Sequence, residues 1–295
     1  MANLYVFHQG IGGDGIHLWY SVFDGISWAP DTLVLDGALD LSDPPSAVAW
    51  ADGISVLHQG WNRQGRPPGP GGQLWYTYSP DGTNWAPDVQ VPNLGMSGSP
   101  SAVVVENGNL YVFHQGSNED GQLWYTYYDG TNWAPDTPVR NLGMSSSPSA
   151  VAWAGGISVF HQGSDNNGQL WYTYSRDGIN WDPDTLVPNV NMSGSPSAVV
   201  YNGLLYVFYQ GGSGYAGQLW YTVYDGTNWG QNIVHHVGMS GSPSAVAWAG
   251  GMTVFHQGFD LDEQLWYSYF NGTNWETDTQ VQNVGISGSP SCVVV

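Results

Sequence analysis

The chain contains no lysine, and its only basic residues of that kind are Arg63, Arg66, Arg140 and Arg176. Set against 24 acidic residues, they leave a formal net charge of −20. Such a surface repels polyphosphate and anionic headgroups, so nucleic acid and membrane insertion are not expected of it. Cysteine is single, Cys292, which rules out a disulfide within the chain. It stands where other repeats carry Ala47, Ala102, Ala150, Ala198 and Ala245, and reads as a small core residue. No apolar run reaches 18 residues, which excludes a spanning helix. The opening MANLYVFHQG enters a repeat at once and leaves no room for a secretory leader. A cytoplasmic location or a non-classical secretion route is therefore expected. Long segments of 3.6 period are also missing, so helices are not expected.

Aromatic residues are plentiful, with 16 Trp and 18 Tyr, beside 41 Gly and 18 Pro. They fall in a repeat. HQG ends at Gly10, Gly60, Gly116, Gly163 and Gly258, and YQG ends at Gly211. Six units of about 49 residues fill the chain, which predicts one domain over residues 1–295 and a repeat architecture. Each unit resolves into four short β-type runs. In the third unit these are Pro100 to Val105, Asn109 to His114, Gln122 to Tyr128, and a run from near Trp133 to Val139. Asp129-Gly130 joins the last two, and Asp-Gly or Asn-Gly recurs there in every unit, as a tight hairpin requires. Four antiparallel strands in each of six units predict an all-β fold, a six-bladed β-propeller.

The two ends are complementary. The chain begins in a second strand (LYVFHQG) and stops after a first strand (PSCVVV). Joined, they reproduce the internal segment from Pro100 to Gly116, so the last strand should complete the first blade and remove the exposed sheet edges. A second period is superposed. First strands end in Trp50, Trp153 and Trp248 in alternate units, and in Val105, Tyr201 and Val295 in the others. Two alternating kinds of repeat predict approximate threefold symmetry.

Candidate ligand residues lie where the second strand hands over to the third. The HQG segments supply His8, Gln9, His58, Gln59, His114, Gln115, His161, Gln162, Gln210, His256 and Gln257. The third strands open with Trp19, Trp75, Trp124, Trp171, Trp220 and Trp266. Indole planes beside imidazole, amide and hydroxyl groups suit a sugar, whose C–H face stacks while its hydroxyls find donors and acceptors. The other reading of HQG is structural: His and Gln can bond the backbone of a neighbouring blade, with Gly permitting a turn. Tyr209 replaces the histidine once. The tryptophans of the DGxxW turns (Trp28, Trp85, Trp133, Trp181, Trp229, Trp275) read as core.

Metal and cofactor are not expected. His235 and His236 are adjacent on a strand and point to opposite faces. The acidic loop Asp260-Leu261-Asp262-Glu263 lacks calcium-loop spacing. The segments SPDGTNW and SRDGINW resemble the Asp-box turns of sialidases with one residue fewer between Asp and Gly. No third arginine converges to hold a carboxylate, and no acid–base pair recurs, so an enzyme is not expected.

The pieces VFHQG, QLWYTYYDGTNW and SPSAVAW, over essentially the whole chain, resemble the propeller lectins. The pattern is similar to fungal fucose-binding six-bladed lectins and related bacterial propeller lectins. The resemblance implies multivalent recognition of glycans or glycoconjugates. Those fungal sites use an Arg and a Glu from adjacent strands. Near these places this sequence has Tyr5, Tyr111 and Tyr206 or Ser55, Ser158 and Thr253, followed by tyrosines such as Tyr20, Tyr125 and Tyr221. The expected function is a lectin for neutral glycans in clefts between blades. The alternatives are a protein-binding scaffold using variable loops such as Trp61 to Gly72, and a glycoside hydrolase.

Overall fold

The computed structural model describes residues 2–11, 17–37, 39–60, 72–212, 217–230 and 233–295. Six blades of four antiparallel strands surround an axis. Blade three shows the pattern. Its innermost strand lies in the second half of Val89–Val104, followed by Leu110–Gly116, Gln122–Tyr128 and Thr137–Gly143. The first half of Val89–Val104 is the outermost strand of blade two, and Ile233–Trp248 joins blades five and six in the same way.

The outermost strand of blade three starts later than the expected position near Trp133. Trp133 makes only an isolated bridge with Tyr128, and regular pairing resumes at Thr137. Pro135 lies between them and has no N–H to donate to the ladder. The hairpin turns are as expected: Gly25, Gly82, Gly130, Gly178, Gly226 and Gly272 all have positive φ.

The core is not central. Six apolar clusters form, and each combines residues of two adjacent blades. Every residue of the second strands Leu4–Gln9, Gly53–Gly60 and Gly251–Gly258 is buried. Both faces of a blade are covered by neighbours, which is why these strands read as continuous apolar runs without alternation. The DGxxW tryptophans lock the clusters. Trp85 reaches back to Phe7 of blade one, edge-on at 5.5 Å between ring centroids, and Trp181 does the same to Phe113 at 5.4 Å. Trp28, Trp229 and Trp275 meet Phe255, Phe160 and Phe208 in the same way.

The alternation of repeats becomes two kinds of interface. Where the second strand carries Tyr5, Tyr111 or Tyr206, that ring packs with a third-strand tyrosine, and the latter meets the turn tryptophan of the next blade. Where it carries Ser55, Ser158 or Thr253, the first-strand tryptophan of the same blade crosses to the next one. Trp50 meets Tyr128, Trp153 meets Tyr224, and Trp248 meets Phe23.

The ring is closed by Ser287–Val294, which pairs antiparallel with Leu4–Gln9 in the register Leu4↔Val294 to Phe7↔Ser291. A circle of hydrogen bonds repeats this closure at the axis. The backbone N–H of Ala47 donates to Ser291 Oγ, that of Ala102 to Ser46, and that of Ala150 to Ser101. Ala198 donates to Ser149, Ala245 to Ser197, and Cys292 to Ser244, all six at 2.8–3.1 Å. Each serine is in one blade and each donor in the next. The Cys292 sulfur also meets Ser244 Oγ at 3.1 Å.

Two predictions follow from this packing. Deleting residues 287–295 should abolish cooperative unfolding in a thermal melt, whereas a circular permutant linking the two ends and opened at Asn107-Gly108 should retain it. The second concerns alkali. Burial holds the phenols of Tyr20, Tyr76, Tyr111, Tyr125, Tyr172 and Tyr206 above their ordinary 10.0, and pushes the Cys292 thiol from 9.0 up to about 12. The fold prefers the protonated forms, so their contribution is complete below pH 9 and is lost as pH rises through the folded-state values. The denaturant midpoint should fall steadily above pH 9, and Cys292 should resist thiol reagents at neutral pH until the protein unfolds.

Candidate functional site

The second-strand histidine and third-strand tryptophan of each blade are directly opposed: His8↔Trp19, His58↔Trp75, His114↔Trp124, His161↔Trp171 and His256↔Trp266, with Tyr209↔Trp220. Opposed residues share one side of a sheet, so each blade brings the two rings together. Their environments then diverge. All five histidines are fully enclosed, while all six tryptophans are half-buried.

The histidines are consumed by the frame. His8, His58, His114, His161 and His256 present Nε2 to Asp31, Asp88, Asp136, Asp184 and Asp278 at 3.0–3.2 Å. In four of them Nδ1 faces the carbonyl oxygen of the next glutamine. These aspartates stand immediately before the outermost strand, and each pair therefore ties the second strand to the start of the fourth within one blade. This corrects the ligand reading of the histidines, because no part of the ring meets the surface.

The glutamines are also spent. Gln9, Gln59, Gln162, Gln210 and Gln257 donate from Nε2 to the carbonyls of Leu41, Met96, Met192, Met239 and Ile286 at 3.1–3.5 Å. Each acceptor lies in the segment entering the next blade. Gln115 is half-buried. The glycine of HQG serves space and not a turn: Gly116 and Gly163 have extended backbone, and a Cβ there would meet the indole Nε1 of Trp124 at 2.5 Å and of Trp171 at 2.8 Å.

The tryptophans remain as the candidate ligand surface. Trp124 Nε1–H donates to Asp120 at 3.2 Å, and Trp266 Nε1–H donates to Asp262 at 2.9 Å. These carboxylates come from the loop after HQG and fix the tilt of the indole. Around Trp171 a cleft of about 590 Å³ opens between blades three and four. Arg140 and Asn141 line it from blade three, and Ser164, Asn167, Asp182 and Asp184 from blade four. Arg140, Asn141, Ser164, Asn167 and Asp182 are exposed. Guanidinium and amide donors thus face carboxylate acceptors across a half-exposed indole. The variable loop after His58 lies outside the described residues over 61–71, as do the side chains of His235 and His236.

No family model matches the sequence, and no curated protein does. Solved structures are similar. A triple arginine-to-alanine mutant of AofleA from Arthrobotrys oligospora has a TM-score of 0.69 at 13% identity, covering 94% of this chain and 82% of that one. Aleuria aurantia lectin in complex with Fucα1-6GlcNAc has a TM-score of 0.59 at 18% identity, covering 82% and 79%. This chain has their six-bladed propeller fold. The GH43_1 enzyme from Xanthomonas citri is also similar, with a TM-score of 0.53 at 14% identity over 74% and 82% of the two chains. Propellers that bind sugars and an enzyme propeller thus share this architecture.

The Asp of the histidine pair was not singled out in the sequence, yet a signal for it exists. It stands three residues after the turn tryptophan in all five units that carry His. In the unit with Tyr209 the same position is Asn232. Arg140 and Asn167 carry no such signal, because each belongs to one unit only, whereas Asn141 recurs as Asn93, Asn189 and Asn283. Replacing Asp136 by Ala removes the acceptor of an enclosed imidazole and should lower unfolding stability by about 2 kcal/mol in urea titration.

Proposed function

We propose that the protein is a multivalent lectin for neutral glycans, with its sites on the face that carries the loops after HQG. Trp19, Trp75, Trp124, Trp171, Trp220 and Trp266 supply the stacking planes, one per blade. The cleft at Trp171 carries this reading: a half-exposed indole lies beside Arg140, Asn141, Asn167 and Asp182, a set of donors and acceptors that matches sugar hydroxyls. The similar fold of Aleuria aurantia lectin in complex with a fucosylated disaccharide supports it. Individual sites are weak, and several engage one glycan-bearing surface at once, so avidity supplies the strength. The ligand is bound and released unchanged.

A glycan array followed by titration of the selected sugar tests this. Erythrocyte agglutination should be inhibited by the free monosaccharide, and the sugar should be recovered intact after long incubation. Trp171→Ala should weaken binding at its cleft about tenfold, the loss of one stacking contact. Unchanged titration by a folded Trp171→Ala variant, or cleavage of the glycan, would refute the proposal. Binding to proteins stripped of glycans would favour a scaffold instead.

A further inference from the structure

The opposite face of the ring, formed by the Asp-Gly turns, holds a different kind of cleft between blades six and one. It has a volume of about 340 Å³, and its walls are aromatic: Phe23, Trp28, Trp248, Tyr267 and Tyr269. The rings form a continuous lining. Trp248 lies 5.5 Å from Phe23, Phe23 5.1 Å from Trp28, and Trp28 6.1 Å from Tyr267, between centroids. All five are half-buried, so each ring keeps some surface toward the opening.

One charged group joins them. Glu276 is exposed at the rim, and its backbone N–H donates to the carbonyl of Tyr269 at 2.8 Å. The Tyr269 hydroxyl is itself committed, donating to Ala249 O at 3.0 Å. Its phenol is held above the ordinary value, first by burial and then by the Glu276 carboxylate, which places that carboxylate's field on the aromatic wall. Among the described residues, no Arg, Lys, His, Asn or Gln lines the cleft.

This chemistry does not suit a neutral sugar, whose several hydroxyls would enter an apolar space with one carboxylate to receive them. It suits a cation without hydrogens to donate. The negative faces of aromatic rings attract an ammonium group, and a desolvated contact of this type is strong. The chain's charge of −20 raises the local concentration of cations at any such cleft. The comparable interface between blades two and three has Trp50, Tyr78, Tyr128 and Trp133, with Ala86 in the place of Glu276. At the interface between blades four and five, with Trp153, Tyr224 and Trp229, the shorter Asp182 takes that place, so the glutamate at this position is particular to the interface of blades six and one.

We propose that the cleft between blades six and one binds a quaternary or N-methylated ammonium group, with the aromatic rings around the cation and Glu276 neutralising it. The site lies on the other face from the glycan clefts and stands or falls independently of them.

Titration of the full-length protein with choline chloride at constant ionic strength, followed by tryptophan fluorescence, tests the proposal. The neutral isostere 3,3-dimethylbutan-1-ol is titrated beside it. Choline should give a saturable change, Glu276→Gln should weaken it about tenfold, and the alcohol should bind at least about tenfold more weakly than choline. Glu276 is exposed, so its replacement leaves the fold in place, and glycan binding at Trp171 should be untouched. Trp248→Ala should also reduce choline binding. Equal affinity for the alcohol, unchanged choline affinity in Glu276→Gln, or the absence of saturable binding would each overturn it.

Discussion

The structure depends on one constraint: each blade is apolar on both faces and can be covered only by two neighbours. A row of such blades would leave two faces and two sheet edges open to water. Pairing of Ser287–Val294 with Leu4–Gln9 removes both at once. The serine circle at the axis imposes the same condition on every blade in turn, because each innermost strand receives a donor from the next. No blade has a private core, so the wheel is stable as a whole or not at all.

Within that frame, repetition and individuality are divided between different residues. The polar groups that recur, His, Asp, Gln and Ser, hold strands to strands and blades to blades. The groups that do not recur, such as Arg140, give single clefts a charge of their own. Alternation between tyrosine and the smaller Ser or Thr in the second strand adds an intermediate level, two kinds of interface three times each. Equivalent positions around the wheel therefore have equivalent backbones and different surfaces.

The architecture was legible because its signals are local. Period, strand count, the glycine of the hairpin and the complementarity of the ends are all read within a few residues. The role of HQG was not legible by that means. The partner of His58 is Asp88 and that of Gln59 is Met96, each about 30 residues away, so the motif alone suits a ligand and a brace equally well. The paired change to Tyr209 and Asn232 decides between them once the two positions are compared across units. The late start at Thr137 of the outermost strand in blade three was hidden for another reason: Trp133 looks like a strand residue, but its ring belongs to the preceding interface, where it meets Tyr76.

Five histidines and five glutamines of the HQG segments are bonded to the frame, so the frame asks little more of the segments that follow them. Those segments range from SNEDG to the much longer WNRQGRPPGPGG, while the strands on either side keep their spacing. Ligand preference in one sector of the wheel can therefore be rewritten by substitution, lengthening or shortening of a single loop. On the proposed lectin reading the remaining sectors would keep their old preference, and several specificities would stand side by side in one molecule.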